Sequence, residues 1–119
     1  MTSISTVTQF LVLSEMDVGR ESQVQVDGLT VVALEENAGS TGYNWKYEPL
    51  VGGPERLKLL ADSGLYGDRS QVGAPGAHVF LFEAVQAGTT PLRFGLYSSG
   101  EEEELGREVT FDIEIVPAD

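Results

Sequence analysis

The residue types on which enzyme and metal chemistry usually depend are scarce in this sequence. The chain of 119 residues contains no cysteine and a single histidine, His78. A thiol nucleophile and a cysteine-based zinc site are therefore excluded, and one histidine does not make a multi-histidine metal centre. Nothing around His78 resembles a nucleophile motif, so we expect this side chain at the surface, near a strand end. The sequence predicts that the protein is not an enzyme and needs no cofactor or metal.

One short segment has instead the composition of a binding loop. Ser40, Thr41 and Gly42 lie between the β-branched apolar run Leu29–Leu34 and the alternating run Tyr43–Glu48. Glycine adopts backbone conformations closed to other residues, and the two hydroxyl side chains can hydrogen-bond their own backbone. We therefore expect a small, stiff loop between two strands, whose backbone fits a narrow cleft that bulky side chains would not enter.

The elements that must position this loop are predicted to be strands. Short runs of β-forming or alternating residues are separated by frequent turn signals, and no segment has a convincing helical pattern. This pattern predicts an all-β sandwich or barrel in one domain, residues 1–119, with Trp45 at the centre of an immunoglobulin-like core. The segment Leu57–Ala61 is compatible with a strand or a helical turn. The other runs are Thr6–Leu13, Ser22–Asp27, Leu29–Glu35, Tyr43–Glu48, His78–Ala84, Leu92–Tyr97 and Glu108–Ile115.

The net charge of -12 limits the possible partners. Binders of nucleic acid or of anionic membranes are normally basic, so we expect neither. No run approaches the ~20 apolar residues that span a membrane. Residues 1–8 show no signal peptide, so we expect a cytoplasmic protein or a mature secreted or periplasmic form. The acidity is compatible with a basic partner surface or with a salt-rich habitat.

The segment Ser40-Thr41-Gly42-Tyr43-x-Trp45 resembles the first binding loop of the chagasin-type inhibitors of papain-like cysteine proteases. That family's pattern is roughly Asn-Pro-Thr-Thr-Gly-Tyr/Phe-x-Trp. Four residues match, and Ser40 substitutes for the first threonine. The front of the loop departs from the family, because alanine and glycine stand where Asn-Pro is usual.

A second stretch follows the same family in the same order. The sequence Gly73-Ala74-Pro75-Gly76 is similar to the glycine-rich loop that precedes a phenylalanine-rich strand in these inhibitors. The strand residues and spacing after it also match, through Phe80, Phe82, Ala84, Gly88 and Leu92. Together the two matches extend over roughly residues 29–116.

The third family loop is different here. Relatives usually carry Arg-Pro-Trp or Arg-Pro-Phe after the strand that ends at Tyr97, whereas this chain continues Ser98-Ser99-Gly100 and then four glutamates. No arginine-proline-aromatic motif stands between Tyr97 and Phe111. The four consecutive carboxylates lack the spaced pattern of a calcium loop. We therefore expect a solvated acidic loop, and this departure weakens the expectation of high affinity for ordinary papain-like enzymes.

The resemblance implies a reversible protein inhibitor that blocks the cleft of a papain-like cysteine protease with three loops at one end of an immunoglobulin-like sandwich of seven to eight antiparallel strands. We also expect a monomer. The alternative is a non-inhibitory immunoglobulin-like module that binds a protein or a glycan. The residues expected to contact the protease are Ser40, Thr41, Gly42, Tyr43, Gly73, Ala74, Pro75, Gly76, Tyr97, Ser98, Ser99 and Gly100.

Overall fold

The computed structural model describes residues 9–36, 43–65, 76–98 and 104–118. Most of them lie in strands, and the one helical element among them is a 3-10 turn, Glu15–Asp17. The segment Leu57–Ala61, which the sequence left undecided, is the start of a strand. The strands are β1 (Phe10–Leu13), β2 (Glu21–Gln25), β3 (Leu29–Glu36), β4 (Tyr43–Glu48), β5 (Leu57–Leu65), β6 (Gly76–Ala84), β7 (Gly88–Ser98) and β8 (Leu105–Val116).

The strands form two four-stranded sheets, with the orders β1-β3-β6-β5 and β2-β8-β7-β4. This confirms the expected immunoglobulin-like sandwich. The pairing is not antiparallel throughout, however, because β1 lies parallel to β3 and β2 lies parallel to β8. The N-terminal part of the chain supplies an edge strand to each sheet and changes sheet at the 3-10 turn between them. Alternation of apolar residues predicts strands but not their direction, so the sequence did not reveal these parallel pairs.

Strand β7 begins earlier than the sequence predicts. The sequence predicts a strand only from Leu92, but β7 starts at Gly88 and includes Pro91, which pairs with Asp112 of β8. Proline lacks the backbone N–H that a residue of a central strand donates to one of the two neighbouring strands. Here the pairing of β7 with β4 ends at Arg93 opposite Glu48, so β7 has no partner strand on that side at Pro91.

Three further boundaries also differ. The connection between the predicted runs Leu57–Ala61 and His78–Ala84 is shorter at both ends, since β5 continues to Leu65 and β6 already begins at Gly76. Strand β8 begins at Leu105, before the predicted start at residue 108. In each case the hydrogen-bonded pairing with the neighbouring strand extends beyond the apolar alternation from which the bounds were predicted.

The core between the sheets is built around one aromatic cluster. Phe94 lies at the centre, with its ring centroid 4.6 Å from that of Phe80 and 6.0 Å from that of Phe111. Trp45 is 2% exposed, which confirms its predicted core position. The alternation predicted for the last strand is also confirmed, because Val109, Phe111, Ile113 and Ile115 are all buried. This packed interior supplies a rigid support for the loops at the two ends of the sandwich.

Across the described ranges, there is no helix long and apolar enough to cross a membrane.

Candidate functional site

Three connections leave the sandwich at the same end, which we call the loop end. They are residues 37–42 between β3 and β4, residues 66–75 between β5 and β6, and residues 99–103 between β7 and β8. These are the three loops that the sequence singled out. Eight of the predicted contact residues lie outside the described residues: Ser40, Thr41, Gly42, Gly73, Ala74, Pro75, Ser99 and Gly100.

The strand registers show that the loop ends are neighbours. Glu36, the last residue of β3, is opposite Gly76, the first residue of β6. Tyr43, the first residue of β4, is opposite Ser98, the last residue of β7. The antiparallel pairs β5–β6 and β7–β8 connect at this end too. The four predicted contact residues that the structure describes, Tyr43, Gly76, Tyr97 and Ser98, are therefore all at or next to strand termini of the loop end.

Trp45, which follows the connection 37–42, makes two hydrogen bonds to the strand that precedes this connection. The backbone N–H of Trp45 donates to Oε2 of Glu36 over 2.7 Å, and the indole Nε1–H donates to the carbonyl oxygen of Glu35 over 2.8 Å. Glu36 belongs to one sheet and Trp45 to the other. These two bonds thus close the sandwich directly beneath the loop and fix the separation of the loop's two ends.

His78 occupies a different position from the one predicted. Its side chain is only 14% exposed and stacks on Phe80, with ring centroids 4.5 Å apart. Nδ1 lies 3.0 Å from Oε2 of Glu36, and Nε2 is in hydrogen-bonding contact with Oδ1 of Asp62. The prediction of a surface histidine was wrong because His78 shares the inward face of β6 with Phe80 and Phe82. That alternation was the signal in the sequence that should have placed it inward.

Two aromatic residues at the loop end lie against glycines of the sandwich. A Cβ atom added to Gly106 would lie 2.9 Å from Cε1 of Tyr43, and one added to Gly95 would lie 2.6 Å from Cε2 of Tyr97. The hydroxyl of Tyr97 donates to Oε2 of Glu48 over 2.9 Å. Both tyrosine side chains therefore brace the loop ends against the sheets.

The connection 99–103 is closed by a pair of hydrogen bonds. The backbone N–H of Ser98 donates to the carbonyl oxygen of Glu104 over 3.0 Å. In return, the N–H of Glu104 donates to the hydroxyl oxygen of Ser98 over 2.9 Å. These two bonds hold Ser98 and Glu104, the residues on either side of the acidic connection, next to each other.

A cavity of about 490 Å³ lies at the opposite end of the sandwich, near the start of β5 and of β7. Tyr47, Pro49 and Leu50 contribute to its wall, together with Glu55. Burial raises the pKa of Tyr47 above the ordinary value of 10.0, and the negative charge of Glu55 raises it further. This cavity does not adjoin the loop end. Over the described parts of the chain, no group of three or more histidine, cysteine, aspartate or glutamate side chains is arranged to hold a metal ion.

Known structures resemble this fold. The crystal structure of the cysteine protease inhibitor EhICP2 from Entamoeba histolytica aligns with a TM-score of 0.72 and 24% sequence identity, over 89% of this chain and 95% of that protein. The solution structure of Amebosin aligns with a TM-score of 0.56 and 16% identity, over 92% of this chain and 98% of that protein. At these identities the likeness concerns the fold.

The sequence comparisons add the family. No curated protein matches this chain significantly. Residues 23–115 match the sequence model of the family described as Chagasin family peptidase inhibitor, a range that includes all three connections of the loop end. The chain therefore belongs to the chagasin family of peptidase inhibitors.

Proposed function

We propose that this protein is a reversible inhibitor of papain-like cysteine proteases and that it blocks the active-site cleft with its loop end. The observation that carries the proposal is the convergence of the three connections at one end of a family member, with their described ends fastened to both sheets. Loops held in this way lose little conformational entropy when they dock. Membership of an inhibitor family favours this function over the alternative of a non-inhibitory binding module.

The first loop has the central role in this proposal. Residues Ser40, Thr41, Gly42 and Tyr43 would enter the cleft, with backbone rather than bulky side chains next to the catalytic cysteine and histidine of the protease. A peptide bond is cleaved only when it is held in attack geometry. A loop that fills the cleft without presenting a bond in that geometry is bound but not cut, which is what reversible inhibition requires.

The other two loops would contact the walls of the cleft. Gly73, Ala74, Pro75 and Gly76 would line one side. On the opposite side the contact segment would be 97–100, with Tyr97 at its base held by the hydrogen bond to Glu48 and with Ser98, Ser99 and Gly100 next to the protease. A complex of this kind typically buries about 1,600 Å² in total.

The acidic third loop would shift the preference of the inhibitor among proteases. The aromatic anchor that relatives carry there is absent, and such an anchor is worth about 2 kcal/mol or more at an interface centre. Its absence would mainly raise the dissociation rate. The glutamates at 101–104 and the net charge of -12 favour a target whose cleft rim is basic, because complementary charge accelerates encounter.

The function is tested by titrating papain, or a cathepsin-L-type enzyme, with the purified protein while the hydrolysis of a fluorogenic peptide is followed. We expect stoichiometric or sub-micromolar loss of activity that is recovered on dilution. A folded protein that leaves both enzymes fully active at tens of micromolar would overturn the proposal and favour the binding-module alternative.

A further inference from the structure

Three side chains that are far apart in the sequence form one cluster beneath the loop end. Strand β6 lies between β3 and β5, and His78 on β6 contacts Glu36 of β3 on one side and Asp62 of β5 on the other. We call these three residues the clasp. The Glu36 side chain is 7% exposed and that of His78 is 14% exposed, whereas Asp62 is 46% exposed at the rim.

The chemistry of the clasp depends on the protonation of its histidine. Each ring nitrogen of His78 faces a carboxylate oxygen, and a carboxylate only accepts hydrogen bonds. A neutral imidazole donates from one nitrogen, so it satisfies one of the two carboxylates. Only the protonated ring donates to both, and the resulting bonds are charge-assisted. The geometry therefore fits a cation between two anions.

The clasp reaches the ends of two loops. Glu36 is the last residue of β3 before the connection 37–42, and its Oε2 also accepts the backbone N–H of Trp45 just after that connection. His78 is the third residue of β6, directly after the connection 66–75, and Asp62 lies in β5, which precedes it. One imidazolium thus joins the strands that carry the first and the second loop.

We propose that protonated His78 is a positioning residue for the inhibitory loops: it holds the ends of the connections 37–42 and 66–75 in the arrangement that enters the protease cleft. This inference rests on the proposed function. A ring that donates to only one of the two carboxylates releases the other, so the loop ends loosen and inhibition weakens. Among the described residues, Glu36 and Asp62 are the charged groups in contact with the ring, and β4 contributes the neutral N–H of Trp45 to the same carboxylate.

The first test compares the inhibition constants of variants with that of the wild type. We expect His78→Gln to weaken inhibition about five- to tenfold, because one charge-assisted bond is lost. Asp62→Ala, a substitution at a half-exposed rim position, should weaken inhibition in the same direction without endangering the fold.

The matched control is Val24→Ala. Val24 is fully buried in β2, opposite Ile115 near the far end of β8, so its truncation destabilises the fold without touching the clasp. It should leave the inhibition constant of the folded protein unchanged. An equal loss of inhibition in Val24→Ala and His78→Gln would show that His78 is merely structural and would overturn the proposal.

A second readout does not depend on any protease. The chain has one histidine and one tryptophan, so selective ¹⁵N labelling of each residue type reports on His78 and on the backbone amide of Trp45 alone. The Trp45 amide should exchange faster with solvent in His78→Gln than in Val24→Ala. If the wild type inhibits no protease, the proposed function is wrong and this exchange measurement decides the clasp on its own. Exchange at Trp45 that is no faster in His78→Gln than in Val24→Ala would refute the clasp even if the protein inhibits.

Discussion

The two ends of the sandwich are held by different kinds of hydrogen bond. At the loop end the bonds come largely from side chains, as in the pairs Glu36–Trp45 and Glu104–Ser98. At the opposite end the turns are joined through the backbone. Gly28 N–H donates to the carbonyl oxygen of residue 25 and its own carbonyl oxygen accepts from Ala84, in each case over less than 3 Å.

This difference indicates that inhibition and stability depend on different ends of the sandwich. Backbone bonds persist when side chains change, so most substitutions at the opposite end leave its hydrogen bonds in place. Side-chain bonds are lost with a single substitution, so the loop end can be adjusted without loss of the sheets. Substitutions at the loop end should therefore alter inhibition more than stability, and a substitution that displaces the backbone at the opposite end should do the reverse.

The largest effect is expected from Gly42→Trp in the first loop. A bulky side chain at this position would keep the loop from entering the cleft, because the proposed contact is made by backbone. We expect the inhibition constant to rise at least ~100-fold, equivalent to about 2.7 kcal/mol, while the urea midpoint of unfolding changes little. Inhibition that survives this substitution would exclude residues 40–43 from the cleft.

The matched control at the opposite end is Gly28→Ala. A Cβ atom there would lie 2.8 Å from the carbonyl oxygen of Gln25 and 2.9 Å from that of Gln9. Backbone atoms cannot move aside cheaply, so we expect a loss of about 1–3 kcal/mol in the free energy of unfolding. The fraction that remains folded should inhibit normally. Impaired inhibition by folded Gly28→Ala would show that the two ends do not have these separate roles.

A smaller effect is expected from Ser98→Ala at the base of the third loop. The substitution removes the acceptor for the Glu104 N–H but keeps the backbone bond between the same residues. We expect inhibition to weaken about fivefold, equivalent to ~1 kcal/mol, through faster dissociation. Ser98→Thr retains the hydroxyl and should inhibit like the wild type. If Ser98→Ala dissociates at the wild-type rate, the third loop contributes nothing to the complex.

Much of the fold follows from local patterns. The alternation in the last strand predicted which of its residues are buried, because side chains in a strand alternate between faces. Two features were not predictable in this way. The parallel pairing of β1 with β3 depends on which sheet the N-terminal segment joins, and the inclusion of Pro91 in β7 depends on where β4 ends. Both are decided by contacts between segments distant in the sequence.

The candidate site shows the same limit. The loops were found from glycine-rich segments and their resemblance to a family, both of which are local. The clasp was missed because its partners are 42 and 16 residues away from His78 in sequence. A lone histidine between two apolar residues of a strand gives no sign of the carboxylates on the neighbouring strands. The alternation of apolar residues would have placed it on the inward face, but only the sheet order β3-β6-β5 reveals its partners.

The smallest effect concerns pH at the opposite end. Since burial, and then the charge of Glu55, raises the pKa of Tyr47 in the folded protein above 10.0, the folded state favours the neutral phenol. This contribution to stability is fully present below pH 10 and is lost as the pH rises through the folded-state pKa. The urea midpoint of the wild type should therefore fall relative to that of Tyr47→Phe as the pH rises above 10. Glu55→Gln should reduce this relative fall, because it removes the smaller of the two causes.

Inhibition by the two variants at neutral pH should equal that of the wild type, since Tyr47 packs on Phe82 and Phe94 and lies away from the loop end. A midpoint difference that does not change with pH would show that Tyr47 ionises in the folded protein as freely as in the unfolded chain.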